Sequence, residues 1–289
     1  MKRVKRDGTT VEELYRILHE RIIDGTYPPR MRLSQAELAA ELKTSRTPLR
    51  EALNRLQANG LVVATTNRGM TVSPVEHDKT QQWYALRLLV EPPIVGALVE
   101  GGADGLTEGD LAAMAAALRE MDEHRDRSPR AYQDAHHRFH EVALARYPGV
   151  IRELVESIYD HITRHQLRHL SRPRIAEDFS ATDRWLLKAC RARDGRLARQ
   201  LMEFHLLDAA LGLALDESER FPGPMLTAIR ALGLEVDGAG EERFVRPARI
   251  RWQSGESPDL PRLATANLVY EPAAARVRRP AAVARGARR

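Results

Sequence analysis

Residues 34–60, SQAELAAELKTSRTPLREALNRLQANG, decide how this chain is read. They describe two short amphipathic helices joined by a tight turn. In the first, Leu38, Ala39 and Leu42 fall on one face; in the second, Leu49, Ala52, Leu53 and Leu56 recur at helical spacing. Arg46, Arg50, Asn54 and Arg55 are left to point elsewhere. One helix that packs and a second that presents basic and polar side chains make the plan of a helix-turn-helix.

The flanks extend that plan. Before the pair, residues 10–25 predict a helix: Thr10 can cap it, and Leu14, Ile17, Leu18, Ile22 and Ile23 form an apolar stripe ended by Gly25. Tyr27-Pro28-Pro29 then forces an extended segment. After Gly60, LVVATT (61–66) and MTVSP (70–74) predict two short strands around Asn67-Arg68-Gly69, a hairpin turn that tolerates positive φ. Three helices and a hairpin give a winged helix-turn-helix over residues 8–75.

Within the second helix of the pair, Thr44-Ser45 supplies a hydroxyl cap and Pro48 falls in the first turn, where its missing N–H costs little. Arg46 and Arg50, four apart, share a face. Arginine suits bidentate contact with guanine or phosphate. Thr47 lies between them, within reach of a thymine methyl or a phosphate. The alternative is that both arginines are solvated charges on an ordinary helix; the wing that follows at once argues against it.

Residues 79–217 predict six helices, near 79–100, 107–126, 130–146, 149–170, 178–193 and 195–217, separated by Gly, Pro and Ser breaks. Six helices of this length imply an antiparallel bundle over residues 79–218. The fold class is therefore mainly α: an N-terminal winged helix-turn-helix with a small β-hairpin wing, then an all-α bundle. Residues 222–289 are rich in Pro, Ala and Arg and read as a basic tail, largely disordered, with room for one short helix at 225–236.

Charge follows these divisions. Residues 1–75 hold 13 Lys/Arg against 8 Asp/Glu, residues 76–221 hold 20 against 25, and residues 222–289 hold 12 against 7. A basic head draws phosphate backbones, and an acidic body limits non-specific binding. The apolar run needed to span a membrane is missing, the basic N-terminus lacks an apolar segment behind it, and Cys190 is the lone cysteine. These features point to a cytoplasmic protein in a reducing compartment.

The bundle carries histidines at ligand spacing. His136 and His140 are four apart in AYQDAHHRFHEVALARY, so both can bind one metal ion. Asp183 and His205 fall among apolar residues on two later helices, and the four can converge in the core. On spacing alone, separate surface or hydrogen-bonded core residues remain the alternative. His161, His165 and His169 form a second row, whose ends lie about 12 Å apart at 1.5 Å per residue, so all three cannot reach one ion; an exposed polar face is the reading for it. His124 and His137 read as surface.

The stretch RLSQAELAAELKTSRTPLREALNRLQANGLV, with the wing NRGMTVSP, resembles the winged-helix domain of the GntR family of bacterial transcription regulators. Ser45-Arg46-Thr47-Pro48, Arg50-Glu51-Ala52-Leu53, Gly60-Leu61 and Arg68-Gly69 carry the likeness. Arg30 departs from it, since the family usually has Gly there, and this bears on the local turn. The resemblance implies that Arg46, Thr47 and Arg50 contact bases and phosphates. It sets Arg32 and Thr44 on the backbone and Gly69 at the wing tip in the minor groove, with Ser45 and Arg68 completing the DNA-facing set.

The bundle is similar to the FadR-type effector domain called FCD. Arg87-Leu88-Leu89-Val90-Glu91, Phe139-His140-Glu141, Ala189-Cys190-Arg191-Ala192-Arg193-Asp194-Gly195 and Met202-Glu203-Phe204-His205-Leu206 carry that likeness. Metal-binding members use one Asp and three His. This chain keeps the set with two positions exchanged, His136 where the family has Asp and Asp183 where it has His. The resemblance thus implies a site for Zn or Ni at His136, His140, Asp183 and His205. It also implies a small organic acid as effector, with Arg87 pairing its carboxylate. A structural pair between Arg87 and Glu91, one helical turn on, is the equal alternative.

The reading is a homodimeric, ligand-responsive transcription regulator, a repressor in most of the family, bound to a pseudo-palindromic double-stranded DNA operator. It is not an enzyme, because no nucleophile or general base stands beside the ligand set. The rival is a constitutive DNA-binding regulator whose bundle has lost its metal and only dimerises.

Overall fold

In a computed structural model the described residues are 10–65, 69–74, 77–101, 104–170, 180–214, 220–253 and 257–272. Helix α1, Val11–Ile23, starts from a reciprocal cap: the Thr10 hydroxyl accepts from the Glu13 N–H at 3.2 Å, and the Glu13 carboxylate accepts from the Thr10 N–H at 2.8 Å. Its buried Leu14, Leu18 and Ile22 pack on α3, Arg46–Ala58, through Leu49, Ala52, Leu53 and Leu56. Between them lie the two-residue strand β1, Arg32–Leu33, and α2, Gln35–Glu41.

The wing strands are β2, Val62–Thr65, and β3, Gly69–Val72, paired antiparallel from Val62 opposite Val72 to Thr65 opposite Gly69. Strand β1 adds to the other edge of β3, giving the order β1-β3-β2. The turn before β1 keeps its geometry without glycine. Arg30 has φ +70°, and its N–H donates to the Val72 carbonyl at 2.9 Å. A non-glycine residue there bears the left-handed penalty, of order 1 kcal/mol.

Six helices follow: α4, His77–Glu100; α5, Glu108–His124; α6, Pro129–Leu144; α7, Gly149–Leu170; α8, Ser180–Ala192; and α9, Gly195–Ala214. Their apolar faces form one core, with Tyr84, Phe139 and Phe204 among its largest buried side chains. Helix α4 packs lengthwise on α9, and α5 on α6. The α4–α9 approach depends on two glycines. A Cβ on Gly96 would stand 2.9 Å from the Gly195 carbonyl oxygen, and one on Gly195 would overlap the Gly96 carbonyl and Glu100.

The expectation of a largely disordered end fails for residues 220–272. Helix α10, Gly223–Ala231, and strands β4 (Leu234–Val236), β5 (Ala248–Trp252), β6 (Leu263–Ala264) and β7 (Leu268–Tyr270) form an ordered module. Its sheet runs β4-β5-β7-β6, with β5 and β7 parallel. The cause is alternation hidden in a basic stretch: ARIRW buries Ala248, Ile250 and Trp252 and exposes the two arginines between them. Phe221, Ile250 and Leu268 join the bundle's core. Polar anchors fix the module to α9. The Trp252 indole donates to Glu203 at 2.6 Å, and the Asn267 amide donates to the Asp208 carboxylate at 3.2 Å. The Arg-rich end beyond residue 272 lies outside the described residues.

Candidate DNA interface and metal centre

Helix α3 separates its two jobs by face. Leu49, Ala52, Leu53 and Leu56 are buried, while Arg46, Thr47 and Arg50 are exposed at its N-terminal half. Among the described residues neither Arg46 nor Arg50 has an ion-pair partner, so both guanidinium groups face solvent. Arg55 is different: it pairs with Glu12 at 2.6 Å and lies over the Tyr15 ring at 4.5 Å, which commits it to the head's own packing.

Ser45 occupies the N-cap with extended backbone, φ −85° and ψ 161°, but its side chain makes no capping hydrogen bond. The capping role assigned to that hydroxyl is therefore corrected. The Ser45 side chain is exposed, and Thr44 beside it is half-buried. Arg32 is exposed on β1. Gly69, φ +76°, is exposed at the start of β3 with open space where a Cβ would stand. Arg68, the other wing-tip residue, lies outside the described residues.

The second constellation is buried. His136 and His140 come from α6, Asp183 from α8 and His205 from α9, and one ligand atom of each lies within 4.8 Å of all the others. The His136 and His140 Nε2 atoms are 3.1 Å apart. His136 Nε2 stands 3.4 Å from Asp183 Oδ2, and both His140 Nε2 and His205 Nδ1 stand 3.4 Å from Asp183 Oδ1. Those N–O separations exceed a normal N–H···O hydrogen bond of about 2.7–3.2 Å. They match the edges of a coordination shell, since ligand atoms about 2.1 Å from one ion lie about 3.0–3.4 Å apart.

Electrostatics favour the same role. Burial pulls the His140 imidazole down to about 3, helped by the nearby Arg87 charge. Burial likewise takes His205 down to about 3 against the opposing pull of Asp183, and holds His136 well below its ordinary value. Neutral imidazoles are the metal-ligating form. Three nitrogen donors and one carboxylate fit Zn²⁺ or Ni²⁺ and do not suit Mg²⁺.

Arg87 lies inside the bundle near this cluster. Its Nε donates to the Glu91 carboxylate, and its Nη2 donates to the Tyr159 hydroxyl at 2.6 Å. Burial is the largest single influence and would lower the guanidinium, but the Glu91 charge and hydrogen bond together with Tyr159 and Tyr84 turn the net shift upward. Of the two readings weighed for Arg87, the Glu91 pair is the one formed here. The neighbouring cavity, walled by Glu91, Met114, His140, Tyr147 and Met202 among others, holds about 10 Å³, close to one water.

Two histidines read as surface or exposed are partly enclosed. His137 packs edge-on to Tyr159 at 5.0 Å, and burial lowers its imidazole. His161 stacks on Trp83 with centroids 5.8 Å apart and planes 10° apart. It also lies against Gly60 of the head. The side chains of His165 and His169 lie outside the described residues. The structure adds polar groups that sequence reasoning passed over: Glu203 and Asp208, buried on α9 and bonded to the C-terminal module. Their signal is a charged residue within an otherwise apolar helix, which demands a partner.

Fold and faces together define a winged-helix DNA-binding regulator with an all-α second domain. A family model described as bacterial regulatory proteins, gntR family, matches residues 10–72, and a second, the FCD domain, matches residues 82–208. The chain thus joins a DNA-binding domain of the gntR family to an FCD domain, the make-up of a FadR-like transcription regulator.

It is 37% identical over 97 residues to the Nta operon transcriptional regulator of Aminobacter aminovorans, a match spanning 34% of this chain and 44% of that protein. It is 28% identical over 201 residues to the HTH-type transcriptional repressor GlaR of Escherichia coli (strain K12), covering 67% of this chain and 90% of that one. A crystal structure assigned to a GntR transcriptional regulator of Rhodococcus sp. RHA1 superposes with TM-score 0.60 at 27% identity, over 70% of this chain and 96% of that one. Among the described residues, no helix is long and apolar enough to cross a membrane.

Proposed function

We propose that the protein is a homodimeric repressor that binds a pseudo-palindromic operator and is released by a small carboxylate sensed in the bundle. In this reading residues 8–75 form the DNA head and residues 79–218 the sensor, with residues 220–272 attached to the sensor's core. Arg46, Thr47 and Arg50 read base edges and phosphates. Arg32, Thr44 and Ser45 hold the backbone, and Arg68 and Gly69 enter from the wing. Two-fold protein symmetry implies operator symmetry.

The observation that carries the sensor half is the convergence of His136, His140, Asp183 and His205 in the core at coordination-shell spacing. These four would hold Zn²⁺ or Ni²⁺, which supplies a positive centre for a carboxylate. Around it the protein supplies a dry wall of Phe139, Leu186 and Met202, and the imidazoles stay neutral because they are buried. Glu91 holds Arg87 beside the cluster, so an effector carboxylate competes with Glu91 for that guanidinium. Effector and operator affinities are then linked reciprocally.

The cavity of about 10 Å³ favours a second reading, a bundle that only dimerises, because a carboxylate must move side chains to enter. Metal analysis and operator gel shifts separate the two. The sensor reading expects bound Zn or Ni that His140→Ala loses, and an organic acid that releases the operator. The dimerising reading expects neither.

A further inference from the structure

The head meets the bundle along α7, and the contact is not closed. A cavity of about 300 Å³ lies between them, walled by Gly60, Val63 and Ser73 of the head and by Trp83, His161 and Arg164 of the bundle. That volume is at the small end of ligand sites.

Arg164 makes this cavity chemically specific. Arg164 is only 6% exposed, and its Nη2 donates to the Ser73 carbonyl at 2.5 Å. Its Nε is buried with no hydrogen-bond acceptor, and no carboxylate lies within ion-pair distance among the described residues. The nearest acid in sequence, Asp160 one turn earlier, is paired with His19 of the head at 2.9 Å. Burial lowers the Arg164 guanidinium, with Asp160 opposing only in part. Among the described residues Arg164 has only the partial opposition of Asp160, itself paired with His19, whereas Arg87 in the same bundle has Glu91 in direct contact; a buried cation so poorly compensated is costly.

We propose that this junction is a second ligand site, for a small flat organic anion such as a single-ring carboxylate, with its carboxylate on Arg164. The walls fit such a body. Trp83 and His161 line it with near-parallel stacked rings, and Val63 and Pro74 add apolar wall. The site shares no lining residue with the four-residue metal cluster. Because its walls come from both domains, an occupant fixes the head against α4 and α7 and so changes operator affinity by linkage.

Calorimetry of the full-length protein with sodium benzoate, and separately with inorganic phosphate, tests this. The expected result is saturable benzoate binding near one per chain. Arg164→Gln should weaken it at least about tenfold, the loss of a hydrogen bond to a charged group. Arg164 also holds Ser73, so Val63→Trp serves as a second variant that fills the cavity and leaves the guanidinium in place; it too should remove binding. The proposal is overturned by no saturable benzoate binding, by phosphate binding without benzoate binding, or by benzoate binding that survives both Arg164→Gln and Val63→Trp. Loss in His140→Ala with retention in Arg164→Gln would place the acid at the metal cluster and overturn it equally.

Discussion

Arg46 and Arg50 stand four residues apart on α3, and His136 and His140 stand four apart on α6. Identical spacing puts each pair on one helix face, yet the arginines are exposed and the histidines are buried against two other helices. Spacing fixes which side chains act together. Burial decides whether they meet an outside partner, such as a nucleic acid, or an ion enclosed by the fold. The head therefore presents its chemistry ready-made, while the bundle's chemistry exists only once α6, α8 and α9 have packed.

The largest effect expected from breaking this contrast is on DNA. Arg50→Ala should remove operator binding in a gel shift at physiological salt, since each specific arginine contact is worth about 1–3 kcal/mol and a dimer loses two. Circular dichroism and thermal unfolding should match the parent, because Arg50 packs on nothing in the core. Unchanged operator affinity would remove Arg50 from the reading set.

In the bundle, Glu91→Ala should cost about 3–5 kcal/mol in denaturant unfolding, because it leaves Arg87 buried without its partner. Glu12→Ala, which frees the exposed Arg55, should cost under about 1 kcal/mol. Equal costs at the two positions would show that burial is not what separates head from bundle.

A zinc excess of about 100–1,000 times Kd should stabilise the parent by about 3–4 kcal/mol. His140→Ala should lose most of that increment and Arg50→Ala should keep it. A further small effect concerns Arg30. With φ +70° it carries a strain that glycine lacks, so Arg30→Gly should raise stability by about 1 kcal/mol, read as a higher midpoint of unfolding. A fall in stability there would mean that the Arg30 side chain contributes more than its backbone costs.

The head is legible in the sequence because its signals are contiguous. The apolar stripes, Pro48, Gly60 and the hairpin all lie within one short stretch, and local propensity and tertiary packing agree there. The family's glycine position also points to the turn at Arg30, where the backbone stays left-handed although the side chain has changed. The cluster is half legible. The His136–His140 spacing is visible, but Asp183 and His205 join it only through packing, and the exchange of Asp and His shows only against the family pattern.

The C-terminal module is hidden for another reason. Its strands are short, and the arginines flanking Ile250 make an alternating strand look like a basic tail. Arg164 and Trp83 give no local sign of sharing a cavity, because that cavity is made by the docking of two domains.

The most direct test of the account is the metal content of the full-length protein after loading with Zn²⁺ or Ni²⁺ and desalting. A buried set of three histidines and one aspartate predicts about one tightly held ion per chain, lost in His140→Ala while the fold persists. Retention of less than about 0.1 ion per chain by the folded parent protein would contradict a metal-dependent sensor behind the DNA head.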